Sequence, residues 1–483
     1  MYRMKKPRTG LFIVFLCLGS LCYLFFLTIW RGAPSYTGLL KAYPRHDGAL
    51  FPEIIVHLDL KGAAMKMAAY RELFPVLGAY GATGVLVEYE DMFPYSDELS
   101  LANDNQLELI PLVQTFGHLE FLLKHERFRN LSENPTERNT ICVSQEDSWR
   151  VIKLMLNQIR ALHPFSKRIH IGADEAYHVA EDDVCKRRLK KEFHERKDIL
   201  GLAHIVRVAK YARSLGFETV FAWNDMFQAT DADVLLHYEM RKVITPVVWG
   251  YKSDVTQPGY FPEGLFARLD QSFDSVYFAT AFKGANGQGR VFIDVQRYLN
   301  THRSYVKLLN GDARRLRAKT GGVFVTGWSR YSHHLPLCEL LPASIPSLLA
   351  DLIYLNDTSQ SFNDVYERIR ERMNCLNDAP EWPTEYHFSE NVTYFYPPET
   401  RYRSCSFLWS DSFNLFEELR LLTWKSHNAQ NVDPVAREKI REEIDVIDAQ
   451  IRRLLAPLYF PETIDELIKT KVQRLKDTPK IAV

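Results

Sequence analysis

From Ile54 the chain alternates short apolar runs, rich in β-branched and aromatic residues, with longer stretches whose apolar positions recur at helical spacing. The runs cover residues 54–62, 84–90, 107–116, 168–175, 219–227, 244–251, 275–284 and 321–331, and helical spacing is firmest at Met65 to Tyr80, Ser144 to Leu162 and Gly201 to Leu215. Eight strands separated by seven segments of helix-competent length predict a (β/α)8 barrel over residues 51–343. A doubly wound open sheet alternates in the same way, but its first strand usually leads into a glycine-rich phosphate turn. Here the first run ends in Lys61-Gly62-Ala63-Ala64, without a G-x-G-x-x-G. Past about Pro342 the rhythm gives way to helical patterning, which predicts a helical C-terminal region over 344–483. Within it Asp433-Pro434 reads as a cap with proline at the first helical position, followed by an apolar stripe at Ile440, Ile444, Ile447, Ile451, Leu454 and Leu455. Residues 377–401, with several Pro, Tyr and Glu, read as an irregular connector.

Ahead of the barrel, residues 11–30 carry no charge and no proline, enough for about 30 Å of helix, one hydrocarbon thickness. Arg3, Lys5, Lys6 and Arg8 precede this stretch and only Arg31 follows closely, so the positive-inside bias predicts a cytoplasmic tail at 1–10, a transmembrane signal-anchor at 11–30 and a stem at 31–50. A cleaved signal peptide has a shorter apolar core ending in small residues, and neither condition is well met. The expectation is a single-pass type II membrane protein with a lumenal barrel. The shortness of the span favours the Golgi over the thicker plasma membrane. Asn130, Asn356 and Asn391 each open an N-x-S/T triplet and are expected glycosylation sites on a translocated chain. Of the seven cysteines, Cys17 and Cys22 lie in the span, leaving Cys142, Cys185, Cys338, Cys375 and Cys405. Five is odd, so at most two disulfides form among them, and the sequence does not pair them.

Composition narrows the class further. Hydrophobic residues at 46% and charged residues at 25% exclude a disordered, collagen-like or multi-spanning chain. Sixty basic and sixty acidic side chains cancel, so no nucleic-acid partner is expected. The aromatic fraction of 13% suits stacking on sugars.

The sharpest local signal is His170-Ile171-Gly172-Ala173-Asp174-Glu175, an apolar strand ending in two adjacent carboxylates. Strand ends of a barrel converge on one mouth. There, burial and mutual repulsion are expected to raise one carboxyl pKa and leave the other ionised. Neighbouring strand residues point to opposite faces, so both reach a ligand only if the chain already turns at Asp174. Trp223, Trp249 and Trp328 end three different strands and, with Tyr251 and Tyr331, predict an aromatic wall around the pair.

These residues resemble the family 20 β-N-acetylhexosaminidases, in their hexosaminidase D-like branch. The resemblance runs through HLDLKGA (57–63), EYEDMFPY (88–95), LIPLVQTFGHLEFLLKH (109–125), HIGADE (170–175), AFKGA (281–285), TGWSRY (326–331) and CELLPA (338–343). It covers Ile54 to Ala343. It implies removal of terminal non-reducing β-linked GalNAc or GlcNAc by substrate-assisted, retaining hydrolysis. By that resemblance Glu175 is the general acid and base, and Asp174 orients the 2-acetamido group and stabilises the oxazolinium. His118 relays between Glu175 and an acid near Glu90 or Asp91. Tyr251 donates to the acetamido oxygen, Trp223, Trp249 and Trp328 enclose the sugar, and Lys61, Glu88 and Asp225 are candidate ligands of its hydroxyls, each reading equally as a satisfied ion pair lining the mouth. Neither cofactor nor metal is expected. The partners implied are N-acetylhexosamine-terminated glycans on glycoprotein or glycolipid and a membrane held through the N-terminal helix, with a homodimer allowed by the sequence.

Two other readings compete. Asp231-Ala232-Asp233 is a D-x-D triplet of the kind that holds a divalent ion in a type II lumenal glycosyltransferase, but the triplet is short and the rhythm barrel-like, so a polar loop before the helix-like DVLLHY explains it better. A catalytically silent glycan-binding barrel would keep the aromatic wall, but both carboxylates are present. No H-E-x-x-H occurs, and His333-His334 lacks a spaced partner for zinc.

Overall fold

The computed structural model describes residues 43, 49–90, 105–375, 402–428 and 434–476. The predicted span at 11–30, the connector at 377–401, Asp91, Asn391 and Asp433 lie outside them. Among the described residues no helix is long and apolar enough to cross a membrane.

Eight parallel strands close into a barrel in sequence order. They are β1 (Ile54–Asp59), β2 (Gly84–Glu88), β3 (Glu108–Leu112), β4 (Arg168–His170), β5 (Thr219–Trp223), β6 (Thr245–Trp249), β7 (Val276–Lys283) and β8 (Thr320–Gly327). Closure is made by β1 against β8, in the register Ile54↔Val323, Ile55↔Phe324 and Val56↔Val325. Every residue of β1, β2 and β7 is buried, as expected of strands with a packed interior on one face and helices on the other. Each strand stops short of the apolar run that predicted it. The polar residues at the end of each run therefore stand in the loops of the C-terminal face.

The interior is filled by Ile55, Leu86, Ile110, Leu112, Phe221, Trp223, Val247, Tyr277, Ala279 and Phe324, with Trp249 and Trp328 packed on top. This is a side-chain core rather than a pore. At the opposite end Arg168 pairs with Glu108 and, at 2.6 Å, with Glu53.

Outer helices follow the amphipathic pattern. They include α1 (Met67–Ala79), α2 (Glu146–Leu162), α3 (Asp183–Glu192), α4 (Lys197–Ser214), α5 (Ala232–His237), α6 (Leu265–Ser272), α7 (Val295–Asn310) and α8 (Leu341–Asn356). In α2 the buried positions Trp149, Ile152, Met155, Leu156 and Ile159 form one stripe. Helix α8 is buried along its whole length and packs on β7, β1 and α7. A boundary at 343 would cut through this helix, so the barrel extends to 356. Asn356, the last residue of α8, is fully buried and its Nδ2 donates to Tyr80 O at 3.0 Å and Leu352 O at 2.8 Å. An amide committed in this way leaves no room for a glycan, which corrects the expectation for that position. Asn130 is exposed.

Beyond α8 come α9 (Phe362–Arg372), α10 (Ser410–Asn428), α11 (Pro434–Leu455) and α12 (Pro461–Leu467). A capping box of Ser361 and Asp364 starts α9. The stripe of α11 is inward-facing, with Ile444, Ile447, Ile451 and Leu455 buried. Cys375 and Cys405 are joined by a disulfide. These helices lie in the stretch expected to be helical and belong to the same compact unit as the barrel. They rest against the loops of the barrel mouth: Thr463 Oγ1 donates to Gly62 O at 3.0 Å, Lys66 N to Leu458 O at 2.7 Å and Leu341 N to Tyr459 Oη at 3.2 Å.

Candidate active site

The loops at the C-terminal face surround a cavity of about 340 Å³ lined by Lys61, Glu88, Gln114, His118, Asp174, Glu175, Trp223, Trp249, Tyr251, Lys252, Tyr260, Gly284, Ala285, Arg297, Trp328, Arg330 and Tyr331. Local backbone geometry puts both carboxylates there. Strand β4 ends at His170, and Gly172, Ala173 and Glu175 all adopt positive φ, at 63°, 71° and 48°. The strand alternation is thus broken before Asp174, so consecutive side chains reach the same space.

His118, itself at φ 53°, comes from the loop after β3 and joins the pair. Its Nε2 lies 3.2 Å from Glu175 Oε2 and 3.4 Å from Asp174 Oδ2. Burial works against charge on this imidazole, but Asp174, followed by hydrogen bonds to both carboxylates, holds its pKa well above the usual value. The hydrogen bond from His118 draws Glu175 below the ordinary carboxyl range despite partial burial. The expected rise from burial and repulsion does not occur at Glu175, because the His118 imidazolium sits against it. Tyr177 Oη also donates to Glu175 Oε1 at 2.8 Å.

The raised carboxyl belongs to Asp225, in the turn after β5. Burial and then the neighbouring charge of Asp174 push it up to about 7. Its Oδ2 accepts the Glu175 N–H at 2.8 Å and its Oδ1 accepts the Trp249 Nε1–H at 3.1 Å. Each Asp225 oxygen thus has one protein donor, which ties this carboxylate to the backbone of Glu175 and to the aromatic wall. Glu88 is committed in the same way, accepting from Gln114 Nε2 at 3.1 Å and lying 2.9 Å from His57 Nε2. Burial opposes its charge, yet His57 and Lys61 hold its pKa well below normal.

Lys61 lines the cavity with Nζ 3.1 Å from Glu90 Oε1. Burial disfavours its charge, but Glu90, Asp59 and Glu88 raise its pKa, leaving a fixed ammonium with further N–H donors. Glu90 stands behind it, 2.5 Å from His333 Nε2, and burial pushes it up to about 7. Among the described residues His118 bridges Asp174 and Glu175, and Glu90 is held by Lys61 and His333; Asp91, the other acid expected to serve the relay, lies outside them.

Aromatic rings form the walls. Trp223 is buried as the top of the barrel core, with its ring 6.0 Å from Trp328. Trp249 stacks on Tyr251 at 5.4 Å and 25°, and Tyr251 meets Trp328 edge-on at 6.2 Å. Burial holds the Tyr251 hydroxyl well above its ordinary pKa, so it stays a neutral donor. Tyr331 is half-exposed at the rim and its Oη accepts Gly287 N–H at 3.1 Å. Asp174 Oδ1, Gln114 Oε1 and the indole nitrogens of Trp223 and Trp328 are buried without a hydrogen-bond partner among the described residues. A cavity with apolar walls and a few unsatisfied polar atoms is built to receive a polar ligand.

The sequence reading missed His333, Tyr177, Arg297 and Arg330. Tyr177 follows the carboxylate pair by two positions and is the one of these that local inspection could have found. Asp231 and Asp233 are exposed at the start of α5, outside the cavity lining.

Residues 102–331 match the family model for glycosyl hydrolase family 20, catalytic domain. The chain is 37% identical over 315 residues to Hexosaminidase D of Bos taurus, covering 61% of this chain and 89% of that protein. It is 36% identical over 319 residues to Hexosaminidase D of Homo sapiens, covering 62% of this chain and 64% of that one. Among solved structures, β-N-acetylhexosaminidase from Bacteroides fragilis aligns with a TM-score of 0.48 at 13% identity, covering 67% of this chain and 70% of that one.

Proposed function

Because the chain belongs to glycosyl hydrolase family 20, whose activity is that of a β-N-acetylhexosaminidase, we propose that it removes terminal non-reducing β-linked GalNAc or GlcNAc by substrate-assisted hydrolysis with retention. The observation that carries this reading is the shared proton site of His118 between Asp174 and Glu175 at the bottom of an aromatic cavity. Glu88 and Asp225, the neighbouring carboxylates, are bonded to protein partners, which favours the substrate's own acetamido oxygen as nucleophile over a carboxylate of the enzyme.

In the free site His118 carries the proton and Glu175 is a carboxylate. Sugar entry displaces water, and the proton passes from His118 Nε2 to Glu175 Oε2. Glu175 gives it to the glycosidic oxygen as the bond to the anomeric carbon breaks and the acetamido oxygen bonds that carbon from the other face. Asp174, with Oδ1 free, accepts the acetamido N–H and offsets the positive charge of the oxazolinium. Glu175, now a carboxylate, takes a proton from the water that attacks the same carbon, and the acetamido group is released with net retention. Tyr251 is assigned to the acetamido oxygen. Lys61 is the hydroxyl ligand that keeps donors to spare.

The same proposal places residues 11–30 as a signal-anchor and the barrel in a lumen, most simply the Golgi, and the Cys375–Cys405 bond agrees with an oxidising compartment. The position of Asp231 and Asp233 away from the cavity removes the support for a glycosyltransferase. The test is release of aryl alcohol from paired β-GlcNAc and β-GalNAc glycosides, with and without EDTA and an oxazoline-mimicking inhibitor. We expect release unaffected by chelator and blocked by the inhibitor, with Glu175→Gln and Asp174→Asn each lowering kcat about 10²- to 10⁴-fold. Wild-type turnover in either variant, or indifference to the inhibitor, would remove the assigned roles.

A further inference from the structure

The loop that carries His118 and the loop that carries Glu175 meet a second time, outside the cavity, at two buried thiols. Cys142 closes the hairpin marked by the antiparallel bridge Ser132↔Ile141. Ile141 N–H donates to Phe116 O at 3.1 Å and Leu119 N–H to Asn139 O at 2.9 Å, so this hairpin backs the turn that holds His118. Cys185 stands in the first turn of α3, which the side chain of Asp182 caps. The two Sγ atoms are 2.7 Å apart and both residues are fully buried.

That separation is nearer to the bonded distance of about 2.05 Å in a disulfide than to the spacing of two thiolates on tetrahedral zinc, about 3.7 Å from Zn–S bonds of about 2.3 Å. The surroundings agree. Glu133 lies beside the pair; its Oε2 accepts Glu181 N–H at 2.9 Å and Asp182 N–H at 2.8 Å, while its buried Oε1 has no partner among the described residues. Asp182 Oδ1 is 3.3 Å from Cys142 Sγ and Ser144 Oγ is 3.1 Å from Cys185 Sγ.

We propose that Cys142 and Cys185 form a second disulfide. One thiolate attacks a disulfide oxidant, oxidised glutathione or a protein disulfide, forming a mixed disulfide and releasing one thiolate; the second cysteine thiolate attacks the cysteine sulfur of that mixed disulfide and expels the other. The pair loses two electrons and two protons, and the oxidant leaves as two thiols. The bond closes a loop with a sequence separation of 43 that contains α2, β4 and the Asp174–Glu175 pair. It thereby ties the support of His118 to the loop of Glu175. It also completes the cysteine arithmetic: with Cys375–Cys405 bonded, Cys338 remains as the single thiol among the five outside 11–30, and it is buried.

The test is peptide mapping of the full chain, purified without reductant, unfolded in excess iodoacetamide and digested without reduction. The expected result is a cross-linked peptide pair containing Cys142 and Cys185, with alkylation only at Cys338 outside 11–30. Alkylation of both Cys142 and Cys185 overturns the proposal. If it is accompanied by about one equivalent of zinc in the native protein, the pair is a metal site with Glu133 instead. A Cys142→Ala/Cys185→Ala variant is expected to unfold several degrees lower than the wild type, and an unchanged midpoint would count against a cross-link.

Discussion

The proton inventory of the site turns on His118. Its pKa is raised by Asp174 and Glu175, so it is charged in the folded chain at pH values where a free histidine, at about 6.5, is already neutral. The sign follows: its ion pairing contributes stability that is fully present below about pH 6.5 and is lost as pH rises through the higher folded value. For Glu175, whose pKa is lowered by the same contact, the contribution is present above its unfolded value and lost as pH falls through the lower folded one. Under the proposed mechanism catalysis inherits the first of these limits, because loss of the His118 proton would leave Glu175 nothing to donate. Replacing His118 by Gln should lower kcat about 10- to 100-fold and, by returning Glu175 to its own titration, move the alkaline limb of the kcat–pH profile down by about one unit or more. A profile that keeps its alkaline limb in His118→Gln would mean that the proton is stored elsewhere. Asp174, Glu175, His118 and the three tryptophans were legible in the sequence because each ends an apolar run. His333 was not, since it meets Glu90 across a separation of 243 residues and no local pattern records such a meeting.

Between elements, the decisive contact is the approach of the loops after β3 and β4. A Cβ on Gly117 would fall 2.1 Å from the carbonyl oxygen of Asp174 and 3.1 Å from Ala176 N, backbone atoms that cannot rotate away. Gly117→Ala must therefore push the two loops apart, at a cost of about 1–3 kcal/mol in stability. The same movement stretches the His118–Glu175 contact of 3.2 Å, so the loss in kcat should exceed what the stability change explains. Thermal unfolding and kcat measured on one preparation decide this: normal kcat with a normal midpoint would show that the close approach does not set the geometry. The number and order of strands were readable from hydrophobic rhythm, because strands buried on two faces need continuous apolar runs. Strand ends were read too long. In β4 pairing stops at His170, where the backbone turns to present the carboxylates, and an apolar pattern cannot register a turn made of Gly, Ala and positive φ. Asn356 was misread for a related reason: a triplet of residues carries no information about burial.

At the scale of the whole molecule, the C-terminal helices complete the mouth of the barrel. Glu466, at the end of α12, accepts from Arg330 Nη2 at 2.7 Å with Oε2 and from Leu337 N at 3.3 Å with Oε1. Thr463 holds the loop after β1, and Lys471 donates to Gly289 O in the loop after β7. Three mouth loops are thus fixed by helices that the sequence reading placed in a region of their own. Arg330 lines the cavity, and its nearly buried guanidinium pairs with Glu466, so its position depends on that carboxylate. Glu466→Gln keeps the shape and one acceptor while removing the charge. The expected result is a KM raised several-fold with kcat within about twofold of wild type, because an interaction that holds substrate equally in ground and transition states changes KM alone. A fall in kcat with unchanged KM would instead place Arg330 among the groups that act in the transition state.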